Sequence, residues 1–181
     1  MERSSSVYVV VTIMKIVFLD VDGELTYSNY RNSETENIDP EKVLLVKEIC
    51  DNTGAKVVIS SSWRMCKGIC DFLINLLEDN GIDVIGITSY IPTETVDDVP
   101  ECITLAALEE FDYNVKHGTG RAAEIQKWIE ENNVDNFVIL DDEDWVWHEY
   151  GYAEHWIQPS WYDGGLKREH VDRAIEILEE E

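Results

Sequence analysis

The four apolar residues Ile16 to Leu19 run straight into Asp20 and Asp22, which stand one valine apart in "KIVFLDVDGELT". A short apolar run of this kind reads as a strand buried on both faces. Two carboxylates at its end repel each other when both are ionised. A divalent cation removes that repulsion, because hard cations take carboxylate oxygens as ligands. Two further apolar runs end in groups that suit the same chemistry: "VVISSS" delivers Ser60, Ser61 and Ser62, and "VILDDED" delivers Asp141 and Asp142. Lys116 and Arg121 are the cations nearest the helix that precedes the third run. Carboxylates, a hydroxyl and a cation together make a site for Mg2+ and a phosphoryl group.

For these groups to meet, the three runs must be neighbouring parallel strands, since ligands of open parallel sheets bind beyond the carboxyl ends of the strands. The order of elements supports this. Residues 7–20 read as one long strand or two short ones, and "NIDPEKVLLVKEICDNTG" as a helix with Asp39 at its N-cap, Pro40 at its first position and Gly54 as its stop. "AKVVIS" is a buried strand, followed by a helix that Ser62 and Arg64 start, whose inner face carries Ile69, Phe72, Leu73, Leu76 and Leu77 and which stops at Asn80 and Gly81. "IDVIGI" is a strand, "RAAEIQKWIEENN" a helix, "FVIL" a strand, and the last segment an amphipathic helix with Val171, Ala174, Ile175 and Leu178 inward. Strands alternating with helices predict a three-layer α/β/α sandwich around a parallel, Rossmann-like sheet. The interval between Asp20 and Ser60 is too full of helix for a large cap domain, and residues 88–120 leave room for a small lid only. Residues 1–13 read as an N-terminal extension to a single domain spanning 14–181.

Composition narrows the function classes. The chain has 181 residues, 44% of them hydrophobic, which suits one globular domain and not a disordered one. Its formal net charge of −24 disfavours a long nucleic acid as partner, because such a surface repels polyanions. Cys50, Cys66, Cys70 and Cys102 form no CxxC pair and read as free thiols in a reducing cytoplasm. No apolar stretch reaches the length of a membrane span, and the first 15 residues lack the small-residue cleavage site of a signal peptide.

Taken together, "DVDGELT", Ser60, Arg121 or Lys116, and "DDED" resemble the four motifs of the haloacid dehalogenase (HAD) superfamily, over roughly residues 15–178. The resemblance is to a capless, phosphatase-like branch of small phage and bacterial proteins that includes the HAD domain of multifunctional RNA-repair proteins. It implies that Asp20 attacks phosphorus and that Asp22 handles the proton of the leaving group and then of water. It implies Mg2+ held by the Asp20 carboxylate, the Asp22 backbone carbonyl and Asp141 or Asp142. Ser60, with Ser61 as a second candidate, would bind phosphoryl oxygens, and Arg121 or Lys116 would offset their charge. Arg121 is favoured because it opens the helix before the acidic strand. An aspartate at position 22 goes with phosphate-ester chemistry in that superfamily. Glu24 departs from the apolar or threonine residue usual there and adds negative charge beside the cation.

The expected partner is a phosphorylated small molecule or a nucleotide, including a nucleic-acid-end phosphate, in a site that a second copy of the chain could cover. A small-metabolite phosphatase and a non-enzymatic acidic binding protein on an inactivated HAD fold are the rival expectations. Trp145, Trp147, Tyr150, Tyr152, Trp156, Trp161 and Tyr162 crowd the region after the acidic pair. Such clusters ordinarily build cores or subunit contacts. Base stacking by one or two of them is the alternative.

Overall fold

The computed structural model describes residues 13–91 and 120–180. Five strands, β1 (Lys15–Leu19), β2 (Lys56–Ile59), β3 (Val84–Ile87), β4 (Asn136–Leu140) and β5 (Trp156–Ile157), form one sheet in the order β3-β2-β1-β4-β5. Every pairing in it is parallel. Four α-helices accompany them among the described residues: α1 (Pro40–Thr53), α2 (Lys67–Asp79), α3 (Arg121–Asn132) and α4 (Arg168–Glu179). The chain builds outward from β1 to β3 and then returns to place β4 on the other side of β1. That reversal opens a crevice at the carboxyl ends of β1 and β4, where sheets of this type bind ligands.

Alternation along the strands assigns the layers. Val17 and Leu19 of β1 join a core with Val43, Val46 and Ile49 of α1, Leu73 and Leu77 of α2, and Val171, Ala174 and Leu178 of α4. Ile16 and Phe18 point to the opposite face and pack with Ala122 and Ile125 of α3 and with Trp147. The ring of Phe18 meets Trp128 and Phe137 edge-on at 5.7 and 5.9 Å. Burying each such side chain contributes about 1.5–3 kcal/mol. The three-layer sandwich is therefore held from both sides of its central strand.

Local signals account for the helix ends. Asp39 Oδ1 accepts from Glu41 N at 2.9 Å, Pro40 opens α1, and Gly54 closes it in a left-handed conformation. The structure differs from the expectation in three places. Ser62–Met65 form a separate 3-10 turn, so α2 begins only at Lys67, and Ile69 in its first turn is 40% exposed. On α4 it is Ile177 that is buried, while Ile175 only packs against the edge of the core. The two-residue β5 arises within the aromatic region, where no strand was expected. Of residues 7–20, β1 takes Lys15–Leu19, and most of the expected lid and extension lies outside the described residues.

Candidate active site

Register brings the three strand ends level. Leu19 lies opposite both Ile59 and Leu140, so Asp20, Ser60 and Asp141 follow abreast at the carboxyl edge. Backbone bonds continue the ladder past the strands: Asp20 N donates to Leu140 O at 3.0 Å and Ser60 N to Leu19 O at 2.9 Å. Asp20 is 7% exposed. Its Oδ1 accepts from Val21 N at 2.8 Å, and its Oδ2 lies 2.6 Å from Arg121 Nη1.

The chain then turns sharply. Leu25 N and Thr26 N both donate to Val21 O, and Gly23 adopts a φ of +97°, a region side chains disfavour. A Cβ on Gly23 would lie 2.3 Å from Asp142 Cγ, so glycine also makes room for that carboxyl. Gly23→Ala is expected to displace Asp142, lower stability by more than about 1 kcal/mol, and weaken divalent-cation binding at least about tenfold. Thermal melts with and without cation, and calorimetric cation titration, check this.

Asp22 is held by two donors: Thr26 Oγ1 reaches its Oδ1 at 2.7 Å, and Trp63 Nε1 reaches its Oδ2 at 2.9 Å. Sequence reasoning missed Trp63. The only available signal was an aromatic donor just after Ser60–Ser62, in a segment read as the start of a helix. A hydrogen bond to a charged group contributes about 1.5–3 kcal/mol. Trp63→Phe, which keeps an aromatic ring and loses the donor, should lower kcat about tenfold with little change in KM or cation affinity. Steady-state kinetics and cation titration of that variant test the assignment.

Arg121 begins α3 directly after Gly120, and its Nη1 bridges Asp20 Oδ2 and, at 2.8 Å, Asp141 Oδ2. One turn on, Glu124 pairs with buried Arg64 and accepts from Ile91 N at 2.9 Å, which ties α3 to the loops after β2 and β3. Burial works against the Arg121 charge, but Asp20 and Asp141 outweigh it and raise its pKa. The guanidinium also lies 5.1 Å from the Trp145 ring centre, a cation–π distance. Lys116, the other cation considered, lies outside the described residues.

The acidic pair divides its work. Asp141 is 1% exposed and spends Oδ2 on Arg121 and Oδ1 on Glu143 N and Trp145 Nε1, at 3.0 and 3.2 Å. Asp142 points elsewhere: one of its carboxylate oxygens, one of Asp20 and one of Glu24 all lie within 4.8 Å of one another. Burial, then Asp20, Glu143 and Asp22, push the Asp142 carboxyl up to about 6. Burial, then Asp20, Asp141 and Asp142, raise Glu24 well above the usual carboxylate range. Three acidic side chains crowded this way fit a divalent cation, which would relieve their mutual repulsion.

The serines are not equivalent. Ser60 is 1% exposed and its Oγ has no hydrogen-bond partner among the described residues, whereas Ser61 Oγ caps the 3-10 turn by accepting from Trp63 N at 3.3 Å. Ser62, which the sequence places at the strand end and at the start of the following helix, lines the open cleft above the site. That cleft has a volume of about 680 Å³, and its walls include Asp20, Asp22, Arg121, Asp142, Trp161 and Tyr162. Trp161 and Tyr162 are held at the rim because Ser28 N donates to Trp161 O and Leu166 N to Glu24 O, both at 3.0 Å. Tyr162 is 84% exposed. Trp147, Tyr150, Tyr152 and Trp156 pack instead into the α3-side core. The aromatic run therefore splits between core and cleft.

Comparison with protein families matches residues 16–171 to the family described as "HAD domain in Swiss Army Knife RNA repair proteins". Comparison with curated proteins found no match.

Proposed function

Because the chain belongs to this family of HAD domains, we propose that it is a Mg2+-dependent phosphomonoesterase working through an aspartyl-phosphate on Asp20. The observation that carries this reading is the Asp20 carboxylate, set against Arg121 at 2.6 Å on the wall of an open cleft that Asp22 and Asp142 share. A carboxylate oxygen of Asp20 attacks phosphorus and the bond from phosphorus to the leaving oxygen breaks. Asp22 gives that oxygen its proton, then takes one from the water that attacks the aspartyl-phosphate, releasing phosphate and restoring Asp20. Arg121 offsets the charge of the incoming phosphoryl group. The unpartnered Ser60 hydroxyl is suited to donate to a phosphoryl oxygen. Mg2+, when bound by Asp20, Asp142 and the Asp22 carbonyl, screens the anionic nucleophile from the anionic phosphate.

For the substrate we favour a nucleotide or a nucleic-acid-end phosphate. Three features support that choice: the RNA-repair proteins in which this family of domains occurs, the aromatic rim at Trp161 and Tyr162, and the openness of the cleft to a bulky chain end. The net charge of −24 weighs against engagement of a long duplex, so contact should be limited to the terminal nucleotides. The reducing cytoplasm is the proposed compartment, in keeping with free thiols at Cys50, Cys66 and Cys70. Among the described residues no helix is long and apolar enough to cross a membrane. Hydrolysis of nitrophenyl phosphate with and without Mg2+ tests the reaction. Absence of any Mg2+-dependent turnover would favour a binding protein instead. A panel of mononucleotides, phosphorylated oligonucleotides and sugar phosphates then ranks substrates, and preference for sugar phosphates would overturn the nucleotide assignment.

A further inference from the structure

Glu24 is 0% exposed, and neither of its carboxylate oxygens has a hydrogen-bond partner among the described residues. Buried polar atoms are nearly always partnered, and an ionised carboxylate removed from water costs several kcal/mol even after the protein relaxes. The orphaned group is not pointed at random. It faces Asp20 and Asp142, with one oxygen of each carboxyl within 4.8 Å of the others. Oxygens on opposite sides of one cation stand about 4 Å apart around Mg2+ and about 5 Å apart around Ca2+, so the three fit around a single ion. The backbone at this position is clamped as well. Glu24 O accepts from Leu166 N at 3.0 Å, and Gly165, at φ +68°, approaches so closely that a Cβ there would lie 2.7 Å from Glu24 O. The clamp fixes where the carboxyl is delivered.

We propose that Glu24 is a direct ligand of the divalent cation, a third carboxylate beside Asp20 and Asp142, so that this chain captures the ion before substrate arrives. Mg2+ sites commonly use one or two carboxylates and let substrate phosphate complete the shell. A third carboxylate leaves the ion's charge more than neutralised and raises affinity in the substrate-free protein. The inference rests on the cation of the function proposed above but not on its chemistry.

Its test is cation binding by the full chain without substrate, read by calorimetry for Mg2+ and by electron paramagnetic resonance for Mn2+. Glu24→Gln keeps the length of the side chain and removes its charge. Glu24→Asp keeps the charge and withdraws it by one methylene. Direct ligation predicts that both weaken binding at least about tenfold, since even indirect support of a metal ligand is worth about 10–100-fold. Unchanged affinity in both variants overturns the proposal. Loss in Glu24→Gln with wild-type affinity in Glu24→Asp also overturns it, because charge at a distance would then suffice. Should Glu24→Gln fail to fold, Glu24→Asp carries the test alone. A wild-type protein that hydrolyses no phosphate ester yet loses cation binding in these variants would sink the proposed reaction and leave the ligand assignment standing. Intact hydrolysis with unaltered affinity would do the reverse.

Discussion

Asp20→Asn protein is expected to form no phosphoenzyme and to turn over no phosphate ester. An amide oxygen is a far weaker nucleophile than a carboxylate, and the substitution also removes a ligand charge from the cation. Removing the nucleophile of a hydrolase that works through a covalent intermediate lowers kcat by a factor on the order of 10⁶. The surroundings deepen the loss. The substituted amide can still accept from Val21 N through its oxygen, as Asp20 Oδ1 does at 2.8 Å. Its NH2 would then face Arg121 Nη1, donor against donor, where Asp20 Oδ2 now sits at 2.6 Å. Arg121 keeps Asp141 as a partner, so the variant should fold. Rapid-quench capture of the phosphoenzyme with radiolabelled substrate, alongside near-ultraviolet circular dichroism, makes the measurement. Wild-type turnover, once deamidation back to aspartate is excluded by mass spectrometry, would remove Asp20 from the role of nucleophile and the proposed reaction with it.

How far these roles were legible from sequence depends on whether they live in local patterns. The ends of β1, β2 and β4 were readable because each apolar run stops at a polar residue, and parallel pairing then sets Asp20, Ser60 and Asp141 level. Asp39, Pro40 and Gly54 bound α1 through contacts within a few residues, so the helix ends were readable too. The division between Asp141 and Asp142 was not. Adjacent residues leaving a strand point in opposite directions, and the positions of Arg121, Glu143 N and Trp145 Nε1 reveal which carboxyl is already engaged. Trp63 was missed because its indole bonds Asp22 from across the β1–β2 strand ends, a contact no periodicity encodes. β5 escaped because two residues carry no alternation to read. Glu24 is the instructive case: a departure from the motif was visible in the sequence, but its burial and lack of a partner were not. Trp161 and Trp147 likewise read alike in sequence, yet one lines the cleft and the other is sealed in the core.

Asp22→Asn should fail in a different manner from Asp20→Asn, and the difference identifies its role. The asparagine can keep the geometry of the aspartate. Its oxygen can accept from Trp63 Nε1, and its NH2 can donate to Thr26 Oγ1, replacing the bonds now at 2.9 and 2.7 Å. Its backbone carbonyl, the proposed cation ligand, is unchanged. What disappears is the transferable proton, and general acid–base groups contribute about 10²–10⁴ in rate. That loss depends on the leaving group. An alkyl oxygen needs protonation as its bond to phosphorus breaks, so alkyl phosphates should suffer the full fall in the first half-reaction. Nitrophenolate leaves without a proton, so phosphorylation of Asp20 by nitrophenyl phosphate should remain fast. Hydrolysis of the aspartyl-phosphate still needs a base for the attacking water and should be slow with either substrate. The expected signature is therefore a burst of nitrophenolate approaching one equivalent, with phosphoenzyme accumulating, and no burst with the alkyl ester. Rapid quench with both substrates reads it directly. Equal slowing of the two esters with no phosphoenzyme would show that Asp22 acts on binding or geometry and does not carry the proton.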